Sequence, residues 1–333
     1  MLIVLVVLRH VLQYSVSDEG GILTNFIWAV QMPGFMLVSG YFSCRQVNNF
    51  KAGLRRIGYS AEHYALPFFA WFLLISVLLK GNFNRNIITA LKALMLHVNA
   101  GHWFLWTVFV LSIVSAGCNI VYAIMKTMKT KVAGILSWCL LFSGVLALLA
   151  TLIDVDFIGI KYTLYYAVFY GFGWLLKCTE KWWKQKPQKL YNQMVFVSLV
   201  LFLAIVFNYD LYHCDDGLTS ISLRIVAGFS GNLVVFSICR EYTALLEKFK
   251  LDKIGMYTLE IYVTHVNVVQ MVAKGESLYT ASGFFTFICS LTITVTFTVI
   301  IITCFRANSW TNFLFFGKRK YSKRDNTLCL PVS

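Results

Sequence analysis

Three stretches of this chain, residues 105–121, 132–151 and 284–304, run for about 20 residues without a charge, the length at which a helix rising about 1.5 Å per residue crosses a hydrocarbon layer roughly 30 Å thick. Across the 333 residues, 58% are hydrophobic and only 13% charged. A soluble domain carries about 25% charge and could not bury this much apolar surface in a core of its size. Counted along the chain, the apolar segments fall at 2–15, 22–42, 59–79, 102–125, 132–153, 160–176, 191–208, 218–239, 257–273 and 278–304. The expected fold is therefore all-α, a polytopic membrane protein of about ten transmembrane helices. With 4 prolines and no long polar linker, residues 1–305 form one transmembrane domain and 306–333 a basic cytoplasmic tail.

Orientation follows from the preference of cytoplasmic loops for lysine and arginine. With both termini cytoplasmic, the inner loops and tail hold 22 of the 29 lysines and arginines, from Arg45, Lys51, Arg55 and Arg56 to Lys318, Arg319, Lys320, Lys323 and Arg324. The net charge of +14 is then explained by topology and by attraction to anionic headgroups. It gives no argument for nucleic acid. The nine cysteines are scattered with no C-x-x-C pair, and neither zinc-binding His-x-x-x-His nor phosphate-loop glycine patterns occur. No metal site, disulfide frame or tightly bound cofactor is expected.

The first segment is short. From 2 to 15 it covers about 21 Å, and its inner end is missing. No basic region precedes it as a signal peptide requires, so the natural chain is expected to begin upstream by roughly 8 to 12 residues with at least one Lys or Arg.

Ionisable groups at membrane depth are costly and mark function by default. Arg9 and His10 lie in the first segment, Glu62 and His63 at the inner end of the third, Arg224 in the eighth, and Glu260 and His265 in the ninth, while His102 opens the fourth beside Trp103. A single buried histidine is most simply a satisfied packing residue. Several converging near one level would suit general-base chemistry on a sugar or alcohol hydroxyl, since neutral imidazole accepts a proton near pH 7.

Four ordered motifs are more specific than this periodicity. They are Leu5-Val-Val-Leu-Arg-His10, Gln31-Met-Pro-Gly-Phe-Met-Leu-Val-Ser-Gly-Tyr-Phe42, Gly101-His-Trp-Phe-Leu-Trp-Thr-Val-Phe109 and Ile254-Gly-Met-Tyr-Thr-Leu-Glu-Ile-Tyr-Val-Thr-His265. In this order on ten spans, the chain resembles the membrane-bound acyltransferase 3 family over essentially its whole length. The resemblance implies transfer of an acyl group, usually acetyl, from cytoplasmic acyl-CoA to a hydroxyl of a surface or exported glycan, in a bacterial plasma membrane. It implies His10 as the catalytic residue, with Ser39, Gly40 and Tyr41 as the family's Ser-Gly-Phe/Tyr element on the donor side. Gly40 serves close approach of helices or of a thioester tail, and Ser39 can bond a carbonyl or a ligand.

Arg55 and Arg56 suit CoA phosphates as paired guanidiniums and suit equally the role of inside anchors. His102, Trp103, Arg224, Glu260 and His265 are expected around an acceptor-side polar cavity; Trp106 reads as part of the interfacial aromatic belt. The sequence departs from the family at two places. The family's basic residue some ten positions before its histidine would fall ahead of Met1, and Glu62-His63-Tyr64 stand before Pro67 where the family has arginines. The competing class is a transporter or flippase for a lipid-linked sugar, whose internal repeats are not visible here. The expected partners are acyl-CoA, the glycan acceptor and membrane lipids.

Overall fold

The computed structural model describes residues 1–16, 21–44, 50–75, 87–98, 102–124, 157–213, 217–274 and 283–319. Among these the chain is helical and contains no strand. In chain order the helices are α1 Leu2–Val11, α2 Ile22–Ser43, α3 Phe50–Ser60, α4 Leu66–Leu73, α5 Ile87–Leu96, α6 Trp103–Ile124, α7 Ile160–Cys178, α8 Glu180–Lys184, α9 Gln188–Asn208, α10 Leu218–Glu241, α11 Thr243–Lys248, α12 Leu251–Gly255, α13 Thr258–Ala273, α14 Gly283–Ala307 and α15 Ser309–Phe316. Helix stands at nine of the expected segments, and the segment expected at 132–153 lies outside the described residues. Five helices among the described residues are long and apolar enough to cross a membrane, namely Ile22–Ser43, Trp103–Ile120, Gln188–Asn208, Thr219–Glu241 and Gly283–Ala307, with Leu2–Val16 a shorter apolar one. The protein is a polytopic all-α membrane protein.

Exposed apolar surface on α9 and α14 fits that reading. Phe196, Val197 and Val200 on α9, and Phe284, Phe297 and Val299 on α14, are more than half or nearly half exposed. A soluble protein would cover such a surface; a lipid-facing one need not.

Two short π-helical turns interrupt the bundle. Leu12–Val16 continues α1 just beyond Arg9 and His10, and Ala61–Ala65 joins α3 to α4 at Glu62 and His63. Turns of this kind re-aim side chains and recur at functional positions. In α2, Pro33 removes one backbone donor. The buried Asn232 of α10 donates to the Val30 carbonyl of α2 at 3.0 Å and to the Gly228 carbonyl of its own helix at 2.8 Å, so a neighbouring helix supplies one hydrogen bond beside the break, as lipid cannot.

The closest crossing is between α2 and α7. A Cβ at Gly40 would collide with the Tyr170 backbone, and one at Gly173 with the Leu37 carbonyl. Two glycines placed reciprocally let the backbones touch, the usual device where the hydrophobic effect does not drive helices together. Helix-crossing is therefore the role the structure gives Gly40. The crossing ends at the face of the bundle that carries Met1, where Cys44 Sγ lies 3.0 Å from Cys178 Sγ. The same basic face holds Arg56, whose guanidinium donates to the Ser43 carbonyl, and Glu180 between Lys177 and Lys184 at 2.7 Å each. Hydrogen bonds from Lys177 and then Lys184 pull the Glu180 carboxyl down to about 2.

Sequence periodicity did not single out α5 or α15, both shorter than a span. Helix α15 starts at Asn308, whose side chain accepts the Trp310 N–H at 2.8 Å, and ends at Gly317 in the left-handed region, φ 64°. It packs on α4: Trp71 Nε1 donates to the Phe315 carbonyl at 2.9 Å, and Phe315 and Phe316 are buried. Gly317 lies so close to the Glu62 carbonyl and His63 Cα that no side chain fits there. Beyond it, Lys318 Nζ reaches Glu260 Oε1 at 2.6 Å and the Met256 carbonyl at 3.1 Å, while Arg319 pairs with Glu62. Residues 309–319 thus strap α4 to α13.

Two outcomes follow from these contacts. Mild oxidation with diamide should block maleimide labelling of both Cys44 and Cys178, and Gly40→Leu should restore it by forcing α2 off α7; labelling that diamide does not change would contradict the crossing. Glu260 is 0% exposed and Lys318 34%, so Lys318→Ala, which strands the carboxylate, should cost about 3 kcal/mol, read as a lower unfolding midpoint in detergent. Adding Glu260→Gln should recover most of the loss.

Candidate functional site

Helix α1 presents Val7, His10, Val11 and Tyr14 at three- and four-residue spacing, and α13 answers with Tyr262, His265 and Val269. Val7, Val11 and Val269 pack together beside Phe287 and Leu291 of α14. That apolar contact sets the distance between the two histidines. The His10 and His265 ring centroids are 5.3 Å apart at 47°, and Tyr14 stacks on the other side of His10 at 5.8 Å and 15°.

His265 is fully buried, and its Nδ1 lies 2.7 Å from the Ile261 carbonyl. A carbonyl only accepts, so Nδ1 carries the proton, and Nε2 of the neutral ring is left as an acceptor. Nε2 of His265 and Nδ1 of His10 are both buried and bond no protein atom among the described residues. From His265 the aromatic contacts continue through Tyr262 at 6.1 Å to His102, 5.8 Å further on, whose Nε2 is also without a protein partner, and on to Trp71. Three of the six histidines thus fall along one line inside the bundle.

The opposite end of this line is sealed by the loop after α9. Asn25 Nδ2 donates to the Val206 and Tyr209 carbonyls at 3.0 and 2.7 Å, and its Oδ1 accepts the Leu211 N–H at 2.9 Å. Arg224 Nε donates to the Leu211 carbonyl at 3.1 Å and its guanidinium lies over Trp28. Tyr212 is thereby held over the Arg9 guanidinium, 5.1 Å from its ring centroid, with its hydroxyl accepting from Gln13 Nε2 at 3.1 Å. Arg224 thus holds this loop.

Trp103 turns away from His102 and lies in a stack of rings, 4.9 Å from Tyr162 and 5.2 Å from Tyr166. Trp106 donates to the Ile158 carbonyl at 2.9 Å. On the basic face, Ser39 is half-buried, Tyr41 lies under Lys177 Nζ at 4.9 Å, Arg55 is exposed on α3, and Arg56 bonds the end of α2. Glu260 stands on α13 toward this face, one oxygen on Lys318 and the other without a partner.

The sequence alone did not assign roles to Arg9, Gln13, Tyr14, Tyr212 or Tyr262. Arg9 was visible as a charge at membrane depth; Tyr14 and Tyr262 could have been found as the helical neighbours, four and three residues away, of the two histidines. Nothing in the sequence links Tyr212 to α1, because that contact spans some two hundred residues.

What this arrangement can do is offer buried imidazole nitrogens as acceptors to a hydroxyl-bearing ligand. A family model described as an acyltransferase domain matches residues 1–303, ending four residues before the end of α14. Neither a curated protein nor a solved structure matches the chain. The four motifs lie within the matched residues, and the match takes in α1, α13 and the paired histidines they carry; the chain belongs to the acyltransferase 3 family and is a membrane acyltransferase.

Proposed function

We propose that the protein moves an acyl group, acetyl in the simplest case, from cytoplasmic acyl-CoA to a hydroxyl of a cell-surface or exported glycan in a bacterial plasma membrane. The observation that carries this reading is the ring contact of His10 and His265, two imidazoles with unused nitrogens at membrane depth. In this reading ten helices span the membrane, both termini are cytoplasmic, and the face rich in Lys177, Arg240, Lys248 and Lys318 is the inner one.

His10 takes the proton of the acceptor hydroxyl as its oxygen attacks the thioester carbon. The new C–O bond forms, the C–S bond breaks, and the same proton passes from His10 to the departing thiolate, so no net proton is consumed. His265, its tautomer set by the Ile261 carbonyl, stands beside His10 and presents Nε2 as an acceptor for a neighbouring hydroxyl of the same glycan. Because His265 is fully buried and Nδ1 of His10 is out of contact with solvent, water competes poorly with the acceptor for the thioester. Arg55, exposed on the inner face, is free to meet the donor's phosphates, whereas Arg56 is already engaged with α2.

His10→Ala should lower acyl transfer by about two to four orders of magnitude, the usual worth of a general base, while the protein still inserts and accumulates. Mass spectrometry of surface polysaccharide from cells carrying each form reads the ester content. Near-wild-type ester with the variant would remove His10 from the mechanism.

A further inference from the structure

Helix α14 carries hydroxyls on two faces, and they behave differently. Thr292, Thr296 and Thr303 are exposed, and each turns its hydroxyl onto the carbonyl four residues earlier at 2.8 Å, which hides the polar group from lipid. Ser290, Thr294 and Thr298 form a stripe at four-residue spacing on the buried face, 1%, 0% and 4% exposed. Their hydroxyl oxygens bond no protein atom among the described residues. The same back-bond is open to them, and they do not make it.

The stripe has a defined depth. Gly283 at the start of α14 faces Val16 at 3.7 Å, and Val7 and Val11 of α1 pack with Phe287 and Leu291. The two helices therefore run antiparallel with His10 level with Ser290. Thr298 lies about 12 Å from Ser290 along α14, toward the basic face. On α13, Glu260 lies about 7.5 Å from His265 in the same direction. Its Oε2 and the Nε2 of His265 are further buried groups with no protein partner, and both belong to the helix against which α14 packs. Among the described residues, four unused polar groups thus lie between the histidine pair and Lys318, whereas the exposed threonines of α14 are each satisfied within their own helix.

We infer that this seam between α13 and α14 is the binding groove of the pantetheine arm of the acyl donor. The inference rests on acyl-CoA being the donor. A CoA bound by its phosphates at the inner face has to deliver its thioester to His10, and the arm that reaches there carries amides and a hydroxyl whose donors and acceptors need partners once they leave water. The hydroxyls of Ser290, Thr294 and Thr298 both donate and accept, and Glu260 Oε2 accepts an amide N–H. A proton conduit is the weaker use of the same groups, because the transfer returns the hydroxyl proton to the leaving thiolate and exports none.

The test compares three donors with the purified protein in detergent: acetyl-CoA, acetyl-pantetheine, which lacks the phosphates, and S-ethyl thioacetate, which lacks the arm. The combined variant Ser290→Ala, Thr294→Val and Thr298→Val should raise the apparent KM for acetyl-CoA and for acetyl-pantetheine at least tenfold, with a much smaller effect on kcat/KM for S-ethyl thioacetate. Thr292→Val with Thr296→Val, on the lipid face, should leave all three near wild type. An equal loss with every donor, or a fall in unfolding midpoint that accounts for the loss, would make the seam structural and overturn the inference. Unchanged KM for both long donors would overturn it as well, with the donor reading intact. If the wild-type protein transfers from S-ethyl thioacetate but uses neither long donor, the donor reading itself fails and the inference with it.

Discussion

Hydrocarbon offers no hydrogen bonds, so every polar group this chain carries to membrane depth has to be matched by another part of the chain or by what the chain binds. The amide nitrogen of Asn232 meets the demand beside Pro33, Trp71 with the Phe315 carbonyl, and Asn25 with three backbone groups of a distant loop. The exposed threonines of α14 meet it within their own helix. Among the described residues several other groups stay unmatched, and one set of them runs together along α1, α13 and α14: His10, His265, Ser290, Thr294, Thr298 and one oxygen of Glu260. A chemical site and the path to it are the positions at which a membrane protein has reason to leave such groups unused.

The scaffold around these groups is arranged to hold them still. The glycine crossing of α2 on α7 fixes one side of the bundle, and the valine contact of α1 with α13 sets the spacing of the histidine pair. Residues 309–319, beyond the matched residues, lock the ends of α4 and α13 at the basic face through Glu62 and Glu260. The strap matters for the site because Glu260 lies on the same helix as His265. Whatever moves the strap moves the Glu260 end of α13.

Much of this was legible in the sequence where one physical rule acts locally. Apolar length gave the helices, and the cost of intramembrane charge picked out Arg9, His10, Glu260 and His265. The Ser39-Gly40-Tyr41 element was recognisable as a motif, but whether Gly40 serves a ligand or a helix crossing depends on where Tyr170 falls, which no local pattern encodes. Likewise Arg55 and Arg56 are neighbours in sequence but diverge in space, one exposed and one bound to the end of α2. The short helices α5 and α15 escaped because a search for span-length runs is blind to them. Tyr212 over Arg9 escaped because long-range contacts leave no periodic trace.

The account's central claim is that His10 and His265 work as one unit. A double-mutant cycle measures it directly: kcat/KM for acetyl-CoA with His10→Ala, His265→Ala and both together. If the two imidazoles act on one bound acceptor, the double variant should be little slower than His10→Ala alone, since groups that act together are strongly non-additive. Losses that multiply would show the two histidines acting independently and would contradict the account.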